Sequence, residues 1–129
     1  MHVADVSKGI LGANGIVGAG LSIATGAAFG AKIDGDEKVS ACFFGDGAAN
    51  QGALMETLNI ASLWQLPVIF VCENNGFSEF TPAAQVTSGR IADRARAFGV
   101  PAADVDGNNV TEVWQAAGEA SPAGGEARR

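Results

Sequence analysis

Histidine is almost missing from this chain: His2 is the only one in 129 residues, and it stands at the extreme N-terminus, where it reads as a solvent-exposed terminal residue. The two cysteines, Cys42 and Cys72, therefore have no imidazole near them in sequence, which argues against a catalytic thiol. They read as reduced core residues of a cytoplasmic protein. Basic residues are scarce as well. Eight lysines and arginines stand against fourteen aspartates and glutamates, for a net charge of −6, which argues against a nucleic-acid partner. Long apolar runs are absent too. Residues 16–33, IVGAGLSIATGAAFGAKI, are weakly apolar and rich in Gly and Ala, so no membrane span is expected. The N-terminus lacks a basic region followed by an apolar run, so no signal or transit peptide is read there. No internal repeat or heptad pattern is present.

What the chain does have is concentrated in residues 45–76, GDGAANQGALMETLNIASLWQLPVIFVCENNG. Two short runs, Val39 to Phe44 and Val68 to Cys72, are rich in β-branched or aromatic residues and read as strands buried on both faces of a parallel sheet. Between them, Gln51 to Gln65 places Leu54, Leu58, Ala61 and Leu63–Trp64 at roughly helical spacing. Asn50 is the expected cap of this helix and Pro67 its stop. Strand, helix, strand favours a right-handed parallel crossover, and ligands of such sheets sit at the carboxyl ends of the strands. The expected fold class is α/β, a parallel sheet with flanking helices.

Asp46 and Asn75 both fall just past a strand's carboxyl end, so a carboxylate and an amide are expected at one edge of the sheet. A Mg²⁺ ion takes about six oxygen ligands and usually shares several with substrate phosphates. Asp46 offers a carboxylate, Asn75 an amide oxygen, and the backbone of Phe77 a carbonyl. Gly45 and Gly47 allow a tight turn that brings N–H groups close to an anion, and the following helix points its positive end at the same place. A lone GDG is more often an ordinary turn with a capping Asp; an Asn pair one crossover later is what makes the metal reading specific. A dinucleotide-binding unit fits less well. Gly45, Gly47 and Gly52 do not give the GxGxxG spacing, and an Asn pair stands where a ribose-binding acid would be needed.

With these residues in view, the stretch resembles the thiamine-diphosphate motif, GDG followed by a double Asn. GDGAANQG with SLWQLPVIFVCENNG resembles more closely the alpha subunits of 2-oxo acid and acetoin dehydrogenase complexes. Upstream, Met1-His2 and GANGIVGAG at residues 12–20 look like family segments, and downstream Val105 to Val110, VDGNNV, looks like another. EFTP at residues 79–82 and MHVADVSKGILG at 1–12 look more like acetoin than pyruvate or branched-chain types. The resemblance covers residues 1–118 and implies a partial thiamine-diphosphate-binding domain there. It implies Mg²⁺ ligation by Asp46, Asn75 and the Phe77 carbonyl, backbone contacts to the diphosphate from Gly47 and Ala48, and backbone contacts to the aminopyrimidine from Gly15 and Val17. It implies as partners a beta subunit (in an α2β2 assembly) whose glutamate activates the cofactor, a lipoyl acyltransferase, and a small-molecule substrate. No catalytic residue is assigned within this chain.

Family alpha subunits are much longer than this chain, so a truncated piece that keeps only a cofactor- or subunit-interaction surface is the alternative expectation. Residues 16–33 read as a small-residue helix in which Gly18, Gly26 and Gly30 allow close approach of another helix. Residues 87–98, with Arg90, Arg94 and Arg96 among their apolar positions, read as an amphipathic helix, either solvated or an interface or anion-contacting helix beside the cofactor loop. Residues 102–105 are a candidate third strand, and Asn109 or Thr111 a candidate cap for a last helix through Trp114 to Ala117. The Gly, Pro and Ala content of residues 119–129 predicts a disordered tail.

Overall fold

The computed structural model describes residues 2–121. The chain opens with a hairpin that the sequence patterning did not reveal: β1 (Val3–Asp5) pairs antiparallel with β2 (Ile10–Ala13). The turn between them closes at Gly9, whose φ of 76° lies in the left-handed region that favours glycine. Helix α1 (Ala19–Asp34) follows, overlapping the stretch expected to be helical and ending one residue beyond it. It starts later than expected because Gly18 takes a φ of 84° at the cap position, which stops the helix from extending back to Ile16. Of the expected close-approach glycines, Gly18 is one, since a Cβ there would lie 3.2 Å from the Gln51 side chain, but the other two are not. Nothing lies within 4 Å of a Cβ built on Gly26 or Gly30, whereas one on Gly20 would lie 3.3 Å from the Cys42 sulfur. Gly20 is thus where the helix approaches the sheet.

Strand β3 (Ser40–Gly45) leads through a 3-10 turn (Ala48–Asn50) into α2 (Gly52–Leu63), and β4 (Val68–Glu73) returns beside β3. The strands are parallel and in unbroken register, from Ser40 opposite Val68 to Gly45 opposite Glu73. Asn50 does not cap α2. The cap position is Gln51, with no side-chain bond, and the Asn50 amide is instead committed to tertiary partners. Beyond β4 come a short antiparallel pair, β5 (Phe77–Ser78) and β6 (Thr81–Pro82), and then α3 (Ala83–Val86), α4 (Ile91–Ala97) and α5 (Val110–Ala120). The single helix expected over 87–98 is therefore shorter, with Thr87 extended before it. Residues 101–105 form no strand: no ladder partner is offered to them among the described residues, and Ala102 and Ala103 bring little bulk to bury. Asn109, not Thr111, caps α5, its side-chain oxygen accepting from the N–H groups of Thr111 and Glu112. Glu119 and Ala120, placed in the tail by composition, finish this helix, and residues 122–129 lie outside the described residues.

The core lies on one face of the β3–β4 pair. Leu21 and Ala24 of α1, Leu54 and Leu58 of α2, and Cys42 of β3 are buried together, with Phe44, Val68, Phe70, Ile91, Ala95 and Phe98 packed around them. Alternate residues of a strand share a face, so Cys42 and Phe44 look into this core while Ala41 and Phe43 look away. Phe43 is 67% exposed. The expectation of strands buried on both faces is therefore corrected for β3, whose Ala41 and Phe43 are exposed, while β4 is half-buried on both faces from Val68 to Cys72. Both cysteines are free, Cys42 buried and Cys72 half-buried. No helix among the described residues is long and apolar enough to cross a membrane.

Candidate cofactor and metal site

Because β3 and β4 end level, with Gly45 opposite Glu73, the residues that follow leave the sheet at one edge. The first of them on the β3 side is Asp46. It is only 1% exposed, and neither carboxylate oxygen has a hydrogen-bond partner. A buried carboxylate without a partner costs several kcal/mol. Such a group is retained only where something removes the cost, and a cation does so directly. The Asp46 backbone is used differently: its carbonyl accepts the Ala49 N–H at 3.2 Å and starts the 3-10 turn.

Gly47 is required here for space and not for conformation, since its φ is −62°. A Cβ on Gly47 would lie 2.8 Å from the Cβ of Ser78, so the chain after the Asn pair folds back directly across the glycine turn. Two side-chain turns make that fold-back. Asn74 Oδ1 accepts the Gly76 N–H at 3.1 Å, and Asn75 Oδ1 accepts the Phe77 N–H at 2.9 Å. An amide oxygen has two lone pairs, so Asn75 keeps one for a metal. Phe77 stands opposite Pro82, which has no N–H to offer its carbonyl. By type these oxygen donors suit Mg²⁺: one anionic carboxylate, one amide and one backbone carbonyl, fewer than its usual complement of about six ligands. They fit a transition metal poorly, and no group of three or more His, Cys, Asp or Glu suited to a metal gathers among the described residues.

Of the two N-terminal candidates, Val17 lines a cavity that reaches the end of β3 and Gly15 does not. Asn14, Ile16, Val17 and Gly18 line a cavity of about 990 Å³ together with Gly45 and Ala48. Asp46, Gly47, Asn75 and Phe77 are not among its lining residues. The Gly15 N–H donates to His2 Nε2 at 3.2 Å. His2 is exposed, as expected, but it is not idle. Beneath the site, burial pushes the Cys72 thiol up to about 11, helped by the charges of Asp46 and Glu73. Burial alone raises Cys42. Neither is a nucleophile at neutral pH.

Sequence reasoning missed Ser78 against Gly47, for which no local signal exists, and it misread Asn50. Among the three arginines it singled out, Arg94 reaches the glycine turn. Its guanidinium donates to the Ala49 carbonyl at 2.7 Å, while Arg90 and Arg96 pair with Asp104 and Asp93.

A parallel strand–helix–strand unit with an unpaired buried carboxylate and an asparagine pair at one sheet edge makes this an α/β protein with a candidate ligand site at the carboxyl ends of its strands. The sequence model of the dehydrogenase E1 component family matches residues 1–124, and the chain belongs to that family. It is 54% identical over 121 residues to the alpha subunit of acetoin:2,6-dichlorophenolindophenol oxidoreductase from Bacillus subtilis, covering 93% of this chain and 36% of that protein. The corresponding Cupriavidus necator subunit is 52% identical over 120 residues, covering 92% and 36%. The pyruvate dehydrogenase E1 component subunit alpha of Rhizobium meliloti is 43% identical over 121 residues, covering 93% and 35%. The chain thus spans about a third of the length of these curated relatives.

Proposed function

We propose that this chain carries the thiamine-diphosphate- and Mg²⁺-binding core of a dehydrogenase alpha subunit that cleaves acetoin oxidatively and passes the acyl group to a lipoyl acyltransferase. Greater identity to the acetoin-type subunits than to the pyruvate-type one supports acetoin over oxidative decarboxylation of a 2-oxo acid such as pyruvate. The observation that carries the reading is Asp46, buried and with both oxygens unpartnered beside a glycine turn.

Asp46, Asn75 Oδ1 and the Phe77 carbonyl would hold the metal, and the backbone of Gly47 and Ala48 would meet the diphosphate. The backbone of Gly15 and Val17 would meet the aminopyrimidine. When bound, the cofactor would supply a nucleophilic carbon and an electron sink for carbon–carbon cleavage. This chain's own part is to bind, orient and neutralise charge. The general acid–base work is assigned to a glutamate of a beta subunit, the partner in an α2β2 assembly. A cytoplasmic location accords with two free thiols.

A second reading is favoured by the bare Phe43 face: a piece that binds cofactor or subunit without turnover. Calorimetric titration of the 129-residue chain with thiamine diphosphate, with and without Mg²⁺, tests the first reading. Mg²⁺-dependent binding supports the site, and adding a beta subunit then separates turnover from binding alone. Absence of binding in a folded chain rejects the site.

A further inference from the structure

We propose that Arg94, working with Asn50, is a positioning residue that locks the glycine turn into its cofactor-receiving shape. The inference rests on the cofactor reading above. The 3-10 turn after Asp46 closes through three backbone bonds: the N–H groups of Ala49, Asn50 and Gln51 donate to the carbonyls of Asp46, Gly47 and Ala48. The next carbonyl, that of Ala49, faces inward on a residue only 1% exposed. Arg94 Nη1 satisfies it at 2.7 Å and also donates to Asn50 Oδ1 at 3.1 Å, while Nη2 donates to the Ser88 carbonyl at 3.2 Å. The same Asn50 side chain donates through Nδ2 to Thr87 Oγ1 at 2.9 Å and to the Val86 carbonyl at 3.4 Å. One planar fork and one amide therefore join the glycine turn, the link between α3 and α4, and α4 itself. A guanidinium makes such a join because its donors are held in a fixed plane; an ammonium is a single point charge.

The charge of Arg94 adds a second argument. Arg90 and Arg96 are neutralised by Asp104 and Asp93, but Arg94 has no carboxylate within ion-pair distance among the described residues. Its contacts are neutral oxygens, so its positive charge remains available to favour an anion at the turn. The purpose of the latch is to hold the Gly47 and Ala48 backbone ready, so that ordering it is not a cost of binding.

The test compares Arg94→Met, Arg94→Lys, Asn50→Ala and, as a control on the same helix, Arg96→Met in the whole 129-residue chain. Two quantities are read: Mg²⁺-dependent affinity for thiamine diphosphate, and amide hydrogen exchange at Ala49, Asn50 and Gln51. Arg94→Met should weaken binding about tenfold, the size of a lost charge-assisted hydrogen bond, and should speed exchange at those three amides. Arg94→Lys should recover part of both, Asn50→Ala should resemble Arg94→Met, and Arg96→Met should change neither. Unchanged binding and exchange in Arg94→Met overturn the latch, and so does an equal loss in Arg96→Met, which would mark a general weakening of α4. If the unaltered chain binds no cofactor, the cofactor reading falls, and exchange alone decides the latch: unchanged turn amides reject it and faster ones support it. If Arg94→Met does not fold, Arg94→Lys and Asn50→Ala are judged by the same criteria.

Discussion

The two faces of the β3–β4 pair are built from similar residues and meet different surroundings. On one side Cys42, Phe44, Val68 and Phe70 pack under α1, α2 and α4. On the other Ala41 is exposed and Phe43 is 67% exposed, while Ile69 and Val71 beside them are half-buried. The covered face is satisfied within the chain. Neither the exposed part of the other face nor the carboxylate of Asp46 finds a partner among the described residues. A parallel sheet is ordinarily covered on both sides, so the contrast separates what this chain does alone from what it leaves to a cofactor or another polypeptide.

The largest effect is expected on the covered side. Leu58 is fully buried in the core shared by α1, α2 and β3. Leu58→Ala should remove about 2–5 kcal/mol of stability, the transfer loss plus a cavity, measured by urea unfolding. A loss near zero would mean that the covered face is not the source of stability and would dissolve the contrast.

Asp46→Asn should act in the opposite direction. It keeps the shape of the side chain and removes a buried charge that has no partner. Without metal, the variant should be about 1–3 kcal/mol more stable than the parent. Mg²⁺-dependent cofactor affinity should disappear, because Asp46 is the one anionic ligand proposed. A variant that is less stable without metal would show that Asp46 has a protein partner, and the argument for a cation would fail.

Cys72 offers a smaller, graded effect. Burial first, then the charges of Asp46 and Glu73, raise its pKa from 9.0 to about 11. The raised value favours the protonated thiol in the fold. That contribution to stability is fully present below 9.0 and is lost as pH rises through about 11. Alkylation at pH 9.0 should accordingly run at least roughly tenfold slower at Cys72 in the folded chain than in the unfolded chain. Equal rates would place the thiol away from Asp46 and outside the core.

The site was more legible in the sequence than the scaffold around it. The strands, the helix between them, and the positions of Asp46 and Asn75 past the strand ends follow from local signals: β-branched runs, helical spacing and a glycine turn. What failed depended on contacts distant in sequence. Asn50 has the chemistry of a helix cap, yet Thr87 and Arg94, far along the chain, claim its side chain. Ser78 sits on Gly47 for reasons that no window of sequence contains. The stretch around residues 102–105 was offered as a strand on propensity, but a strand needs a partner, and none stands beside it among the described residues. The β1–β2 hairpin was missed because its strands are short and exposed, with no buried alternation to reveal them.

The smallest change in stability is expected on the bare face, and that is what makes it informative. Phe43→Ser removes an exposed aromatic ring that belongs to neither buried core cluster. Urea unfolding should therefore move by no more than about 0.5 kcal/mol, the usual range for surface substitutions. An exposed aromatic beside an open strand edge does, however, promote association between copies. Light scattering at increasing protein concentration should show the parent chain self-associating more strongly than Phe43→Ser, while Leu58→Ala changes stability far more. If Phe43→Ser costs as much stability as Leu58→Ala, the two faces are equally part of this chain's own core, and the division between what the chain supplies and what it awaits is wrong.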